Sequence, residues 1–240
     1  MAVTFQAVGA MTGGAGVTSL TVTAPASAAD DILVAQIASP AGHTVSPPDG
    51  TWTEFVSSLN GALRSYLFWK RATGSGGNFV FPASGATNLY GVISAWRGAI
   101  TSATPIDATA PSVSNNASSD IVTYAAFNPT ETDAFVVACG FYNDNLTTAG
   151  VISGTNPTFA LRWNLESAVA FDFSMFGYSG SSDGADTGAR SHSTTSVVDV
   201  INVGVLFGLV AVGGGAPPAS GLILPWLVAQ GNDVVMAGSI

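Results

Sequence analysis

Apolar and polar residues alternate along most of the chain, and clusters of Gly, Pro, Asn and Ser separate the alternating stretches. A period of two places successive side chains on opposite faces of a strand, so this pattern predicts β-strands. No stretch carries the apolar spacing and capping residues of a long helix. The predicted strands cover residues 3–8, 19–24, 32–39, 52–58, 63–72, 78–81, 88–97, 121–127, 134–142, 159–164, 169–178, 189–194 and 200–212. Many short strands with regular turn signals are typical of an all-β fold, and we expect an antiparallel, jelly-roll-like β-sandwich.

The two halves of the chain resemble each other in the order of their strands and turns. Asp31, in the acidic turn before one predicted strand, falls on Asp133 when the halves are aligned. The three matches are residues 20–36 with 122–138, residues 61–74 with 167–180, and the strand containing Gly91 with the strand containing Gly204. No linker separates the halves, so we expect two related strand sets that form one sandwich.

A Gly/Pro-rich stretch, residues 212–220, separates the predicted sandwich domain, residues 1–211, from a C-terminal arm, residues 221–240. Three glycines and two prolines suit neither a helix nor a sheet interior, so this stretch is interpreted as a linker. The arm carries nine large apolar residues: Leu222, Ile223, Leu224, Trp226, Leu227, Val228, Val234, Val235 and Met236. Proteins rarely leave such a patch in water, so the arm docks either on its own domain or on a neighbouring subunit. The linker favours the neighbouring subunit, because packing in place needs no hinge.

Charge is scarce in this chain. Six Lys and Arg residues stand against 15 Asp and Glu residues, giving a net charge of −9, and only 9% of residues are charged. Six cations without a basic cluster cannot neutralise a run of phosphates, so nucleic-acid binding is not expected. The most apolar stretch, residues 200–212, is shorter than the roughly 20 residues that a membrane-spanning helix needs. We interpret it as a buried strand and expect no membrane partner and no secretory signal.

Few residues offer catalytic chemistry. Cys139 lies in an apolar run and is predicted to be a buried, inert thiol. His43 and His192 are distant in sequence and belong to no metal-binding pattern, so they are interpreted as a loop histidine and a strand-edge histidine. A Ser-His-Asp triad assembles only in the fold, and the chain has no GxSxG elbow to support one.

Acidic residues lie mostly in turns, where Asp stabilises the backbone locally. Glu54, Glu166 and Asp172 lie in or beside predicted strands and are the candidates for a glycosidase-like carboxylate pair. Residues 143–145 and 181–186 resemble oxygen-rich calcium ligands but lack the EF-hand spacing. The sequence predicts no catalytic residue, no cofactor-binding residue and no metal ligand as its leading interpretation.

Aromatic side chains form the third group of candidates. They fill the core or act as stacking platforms for sugar rings, since an aromatic face packs well against C–H groups. The candidates are Trp52, Tyr66, Trp69, Tyr90, Trp96 and Trp163. The run 66–71 is partly apolar on both faces, which predicts a central strand or a subunit contact.

Four segments of the first half resemble a β-sandwich module of bacteriophage virion proteins and of some extracellular bacterial proteins. The module combines a strand after an acidic turn, a PPxGW motif, a strand ending in aromatic and basic residues, and a (Y/W)RG motif followed by NP(I/F)D. The matching residues are Pro47, Pro48, Gly50, Trp52, Trp96, Arg97, Gly98, Pro105, Ile106 and Asp107. The chain departs from the pattern by inserting Thr51 and by carrying Thr104 in place of the usual Asn. The resemblance covers residues 20–110 and carries no catalytic residue.

The resemblance implies a structural protein on the surface of a phage particle, made in the host cytoplasm. We expect a capsid decoration or cement protein, a homo-oligomer with a trimer as the working assumption. Its expected partner is the phage major capsid protein or a neighbouring virion protein. The alternative is a receptor-binding or carbohydrate-binding module of the tail or a fibre. The scarcity of charge suits the first role, because many copies packed side by side would repel each other if highly ionised.

Overall fold

A computed structural model of the chain describes residues 2–132, 134–143, 150–166, 173–193 and 200–212. Within these residues the chain forms thirteen strands, and all strand pairs are antiparallel. The strands are β1 (Thr4–Val8), β2 (Thr12–Ala24), β3 (Ile32–Pro40), β4 (Thr53–Asn60), β5 (Leu63–Arg71), β6 (Gly77–Arg97), β7 (Ser112–Ser119), β8 (Ile121–Tyr124), β9 (Phe135–Tyr142), β10 (Ala160–Glu166), β11 (Ser174–Ser181), β12 (Arg190–Ser193) and β13 (Val200–Leu209). The predicted antiparallel β-sandwich is confirmed.

Each half of the chain builds one sheet. The first half forms a six-stranded sheet in the order β1-β6-β3-β5-β4, with β2 paired to the long strand β6. The second half forms a five-stranded sheet in the order β10-β11-β9-β13-β7 and a small sheet of β8 and β12. Read from its opposite edge, the second sheet has the order β7-β13-β9-β11-β10. These strands correspond in turn to β1, β6, β3, β5 and β4, and both sets follow the same order along the chain. The predicted pair of related strand sets is therefore confirmed.

Strand register refines the predicted repeat by one residue. Gly91 lies opposite Ile37, and Gly204 lies opposite Gly140, so Ile37 and Gly140 occupy equivalent positions. The sequence comparison, which ended at residue 36, placed Gln36 on Ala138 instead of Cys139. That register is wrong because side chains alternate between faces: Gln36 faces the core between the sheets, whereas Ala138 faces the outer side of its sheet.

The hairpin strands need a larger correction. Phe68 and Tyr178 lie at equivalent β-bulges, whereas the sequence comparison placed Phe68 on Ser174. More residues separate Glu166 from Ser174 than separate Asn60 from Leu63. The residues of β11 therefore lie further along the sequence than the comparison with β5 placed them.

The core has three parts. Its centre lies between the two sheets and includes Val34, Leu67, Trp96, Phe141 and Phe207. The outer face of the first sheet is covered by β2 and the first half of β6, and the outer face of the second sheet is covered by β8. Both large sheets are therefore buried on both faces, which explains why their central strands are almost continuously apolar.

A buried polar side chain joins the sheets through the central core. Gln36 donates from Nε2 to the carbonyl oxygen of Gly140 at 2.8 Å, and Trp163 donates from Nε1 to Gln36 Oε1 at 3.3 Å. Gln36 is 1% exposed. Because buried polar groups are costly unless they are hydrogen-bonded, these bonds favour one alignment of the two sheets.

Three parts of the strand prediction differ markedly from the structure. The strand predicted at 19–24 is longer, since β2 begins at Thr12. The predicted strands 78–81 and 88–97 form one strand, β6, and β7 was not predicted at all. The β7 sequence is rich in Ser and Asn and lacks an apolar alternation. It forms a strand because its backbone pairs with β13 at the sheet edge, which is a tertiary interaction that side-chain pattern does not encode.

Candidate binding groove

The buried thiol and the second histidine lie inside the fold. Cys139 is fully buried, and burial raises the pKa of its thiol well above its ordinary value, as expected of an inert cysteine. His192 lies on β12 and is 2% exposed, while His43 lies in a loop. The two histidines form no metal-binding group, since no cluster of three or more His, Cys, Asp or Glu residues occurs in the described part of the chain.

An aromatic cluster surrounds His192. Its ring lies 5.2 Å from the Tyr178 ring, 5.5 Å from the Phe176 ring and 5.7 Å from the Tyr124 ring, measured between centroids. Tyr124 Oη and His192 Nδ1 share a hydrogen bond of 3.2 Å. Burial lowers the pKa of His192 to about 4, so the imidazole is neutral at pH 7. This histidine packs in the outer core and faces no groove.

The candidate carboxylates do not converge. Glu54 lies on β4 and Glu166 lies on β10, and these strands form opposite edges of the sandwich because β4 packs near β7 and β1 packs near β10. Asp172 lies outside the described residues. Glu54 and Glu166 therefore cannot act on one glycosidic bond as a pair.

The acidic loop 181–186 uses its side chains to form turns. Asp183 accepts hydrogen bonds from Asn156 Nδ2 at 2.7 Å and from the Ala185 N–H at 3.0 Å. Asp186 accepts from the Gly188 N–H at 2.9 Å. Of the other loop, 143–145, only Asn143 is described.

Three of the candidate tryptophans are core residues. Trp52 and Trp163 are each 4% exposed, and Trp96 is completely buried. The expectation that Trp52 or Trp163 presents a sugar-stacking face is wrong for these residues. Trp69 is different, because it is half-buried at the end of β5. The prediction that the run 66–71 forms a central strand is confirmed, since β5 lies between β3 and β4.

Arg97, at the end of β6, and Gly98, directly after it, tie loops to the sheets. Arg97 donates from Nε and Nη2 to the two carboxylate oxygens of Asp31, both at 2.8 Å. Burial alone would raise the pKa of Asp31, but the hydrogen bonds from Arg97 and from the Ala28 N–H hold it below its ordinary value. Gly98 has a φ of 88°, and a side chain there would overlap the Ala2 carbonyl oxygen. These roles are structural.

A groove lies at the end of the sandwich where β5 ends. We call it the Trp69 groove, and it has a volume of about 640 Å³. It is lined by Thr53, Phe55, Trp69, Ile100, Ala103, Thr104, Ile106, Asp107, Ala108, Thr109, Ala110, Pro111, Thr130, Glu131 and Val210. A second depression of about 500 Å³ continues past Trp69 and shares Trp69, Ala103 and Thr104 with it. Trp69 therefore separates two adjoining cavities.

Hydrogen bonds hold the walls of the Trp69 groove in place. Arg71 Nη2 donates to the Ile100 carbonyl at 2.8 Å, which fixes the segment after β6. Asp107 is 5% exposed and accepts from the Thr109 N–H at 2.8 Å and from Thr130 Oγ1 at 2.9 Å. The groove is therefore formed before any ligand arrives.

Sequence reasoning missed this groove. Its walls come from β4, β5, the segment after β6, residues near 130 and the end of β13, which are far apart in the chain. The one available signal was Trp69 near the end of a strand, on the same face as the buried Leu67, and alternation alone does not reveal whether the facing sheet covers such a position completely.

The chain matches no family model, no curated protein and no solved structure. Within the described residues, no helix has the length and apolar character needed to cross a membrane. All nine apolar residues predicted for the assembly arm lie beyond Val212, outside the described residues. The linker and the arm therefore stay predictions.

Proposed function

We propose that the protein is a structural component of a bacteriophage particle, a capsid decoration or cement protein that forms a homo-oligomer and binds neighbouring capsid subunits. The observation that carries this proposal is the place at which the described sandwich ends, directly before the linker and the apolar C-terminal stretch. Val212 donates its N–H to the Gly98 carbonyl at 2.8 Å, and Ala211 pairs with Ala99. A stretch of nine large apolar residues thus follows a fixed point on a rigid sandwich.

Apolar burial supplies the adhesion in this proposal. It contributes roughly 25 cal/mol per Å² removed from water, and association costs offset part of it. Because only 9% of the residues of each copy are charged, neighbouring copies of the chain repel each other weakly. The structural roles of Asp31, Arg97 and Gly98 agree with the virion-like motif, which holds a sandwich together without supplying a catalytic group.

Deleting residues 221–240 is expected to release the protein from particles while leaving the sandwich folded. The measurement is the occupancy of truncated and full-length protein on purified particles, with circular dichroism as the check of folding. A matched control keeps the length of the arm but replaces Leu224, Trp226 and Leu227 with Ser. If apolar contacts of the arm hold the protein on the particle, this variant should also lose binding to the particle. Full occupancy by the truncated protein would refute the proposal.

The second candidate function is that of a tail- or fibre-associated receptor-binding or carbohydrate-binding module. The Trp69 groove is the observation that favours it, because a half-buried indole in a preformed groove suits ligand binding. The two candidates differ in the surface they use, which is the arm in one and the groove in the other.

A further inference from the structure

We propose that the Trp69 groove binds a neutral saccharide chain, with Trp69 and Phe55 as the stacking wall and Glu131 as a hydrogen-bond acceptor. This inference rests on the second candidate function and assigns it a site and a ligand class. It does not depend on the role of the arm. A saccharide fits because each sugar ring presents an apolar C–H face and a rim of hydroxyl donors.

The stacking wall comes from neighbouring strands. Thr53 on β4 is paired with Trp69 on β5, and Phe55 lies two positions further along β4. Phe55 is held edge-on by Phe207, with ring centroids 5.0 Å apart. Both aromatic side chains are half-buried, so each has one side on the core and contributes the other to the groove.

Polar groups line the rest of the Trp69 groove. Thr53, Thr104 and Thr130 supply hydroxyl groups, and Glu131 supplies a carboxylate. Glu131 Oε2 is buried and has no hydrogen-bond partner among the described residues. An unsatisfied buried acceptor costs free energy. Because Oε2 is out of reach of water, the half-buried Glu131 side chain has to rotate to bring this oxygen to a ligand hydroxyl, which would then recover that cost.

The size and charge of the site favour a neutral oligosaccharide. The two cavities on either side of Trp69 have volumes of about 640 and 500 Å³, enough for several sugar units across the indole. Two cations, Lys70 and Arg71, line the second cavity. The guanidinium of Arg71 already donates to the Ile100 and Ala103 carbonyls, and the Lys70 ammonium lies over the Phe79 ring, 4.9 Å from its centroid. With Glu131 in the lining and a net charge of −9, the protein does not favour an acidic chain.

The test is titration of the full chain with cellohexaose, maltohexaose and hexa-N-acetylchitohexaose, monitored by tryptophan fluorescence and calorimetry. Hexagalacturonic acid serves as the acidic comparison. We expect at least one neutral hexasaccharide to bind, and Trp69→Ala to weaken it by about tenfold or more. Trp69→Phe should retain part of the affinity, because a phenyl ring still stacks.

Glu131→Gln keeps the shape of the side chain and is expected to weaken binding by about tenfold, since a hydrogen bond to a charged acceptor is lost. Its matched control is Glu54→Gln on the opposite face of β4, which should bind sugar as the unchanged protein does.

If sugar binds but neither Trp69→Ala nor Glu131→Gln weakens its binding, the proposed site is wrong and the second candidate function stands. If no neutral sugar binds at millimolar concentration, the saccharide site and the carbohydrate-binding form of the second candidate function both fail, while its receptor-binding form and the proposed role of the arm are unaffected. Binding that appears only after deletion of residues 221–240 would assign the groove to the arm and overturn the saccharide site.

Discussion

Replacing Gly204 with alanine is expected to destabilise the protein by about 3 kcal/mol, while the same change at the equivalent Gly91 costs about 1 kcal/mol. Both glycines lie where a covering strand crosses the outer face of a large sheet. A methyl group on Gly204 would overlap the Thr123 carbonyl oxygen, so the backbone of β8 has to move. A methyl group on Gly91 meets only side-chain ends, of which Ile37 Cδ1 is nearest at 2.5 Å.

Urea unfolding of the two variants measures this difference directly. Gly42→Ala is the matched control, because no heavy atom lies within 4 Å of the added methyl group, and its stability should change little. Equal losses for Gly91→Ala and Gly204→Ala would show that the two covering layers do not differ in rigidity as the structure indicates.

Lowering the pH from 7 to 4.5 is expected to remove about 2.4 kcal/mol of stability through His192 alone. Burial lowers the pKa of this histidine to about 4 in the folded state, against 6.5 for an ordinary histidine. Between these values the unfolded chain binds the proton and the folded chain does not. Stability is therefore fully present above pH 6.5 and is lost as the pH falls towards 4.

The measurement is the free energy of unfolding in urea at several pH values between 7 and 4.5. Staying above pH 4.5 avoids the range in which Asp31, whose pKa is held below its ordinary value, begins to contribute. His192→Gln should lose most of the pH dependence, and His43→Gln in the surface loop serves as the matched control. If the His192→Gln variant keeps the full pH dependence, the neutral buried histidine is not its source.

The strand pattern could be predicted from the sequence because the large sheets are covered on both faces and their strands are rich in apolar residues. The repeat could also be found, since Gly91 and Gly204 mark equivalent close approaches. Its register was wrong by one residue because β3 and β9 are apolar on both faces. Two-sided burial removes the alternation that would have fixed the register.

The functional surface was harder to predict. The residue type alone does not distinguish Trp52 from Trp69. The loop before β4 places Trp52 against Phe79 and Phe81 in the outer core, where its ring is covered. Trp163 is buried against Trp96 between the sheets. Only the three-dimensional arrangement of distant segments distinguishes these residues from Trp69, since the groove is closed by residues 100–111 and by Val210.

The two proposed surfaces suit different tasks on one rigid sandwich. The predicted linker begins at Val212, and Val210 lines the Trp69 groove, so the described part of the chain ends close to the groove.

The most direct test of the central proposal is to locate this chain in intact phage particles by cryo-electron microscopy of the capsid. The account predicts an ordered array of the sandwich on the outer surface of the shell, in which residues 221–240 contact a neighbouring subunit. Particles that lack the chain altogether would contradict it.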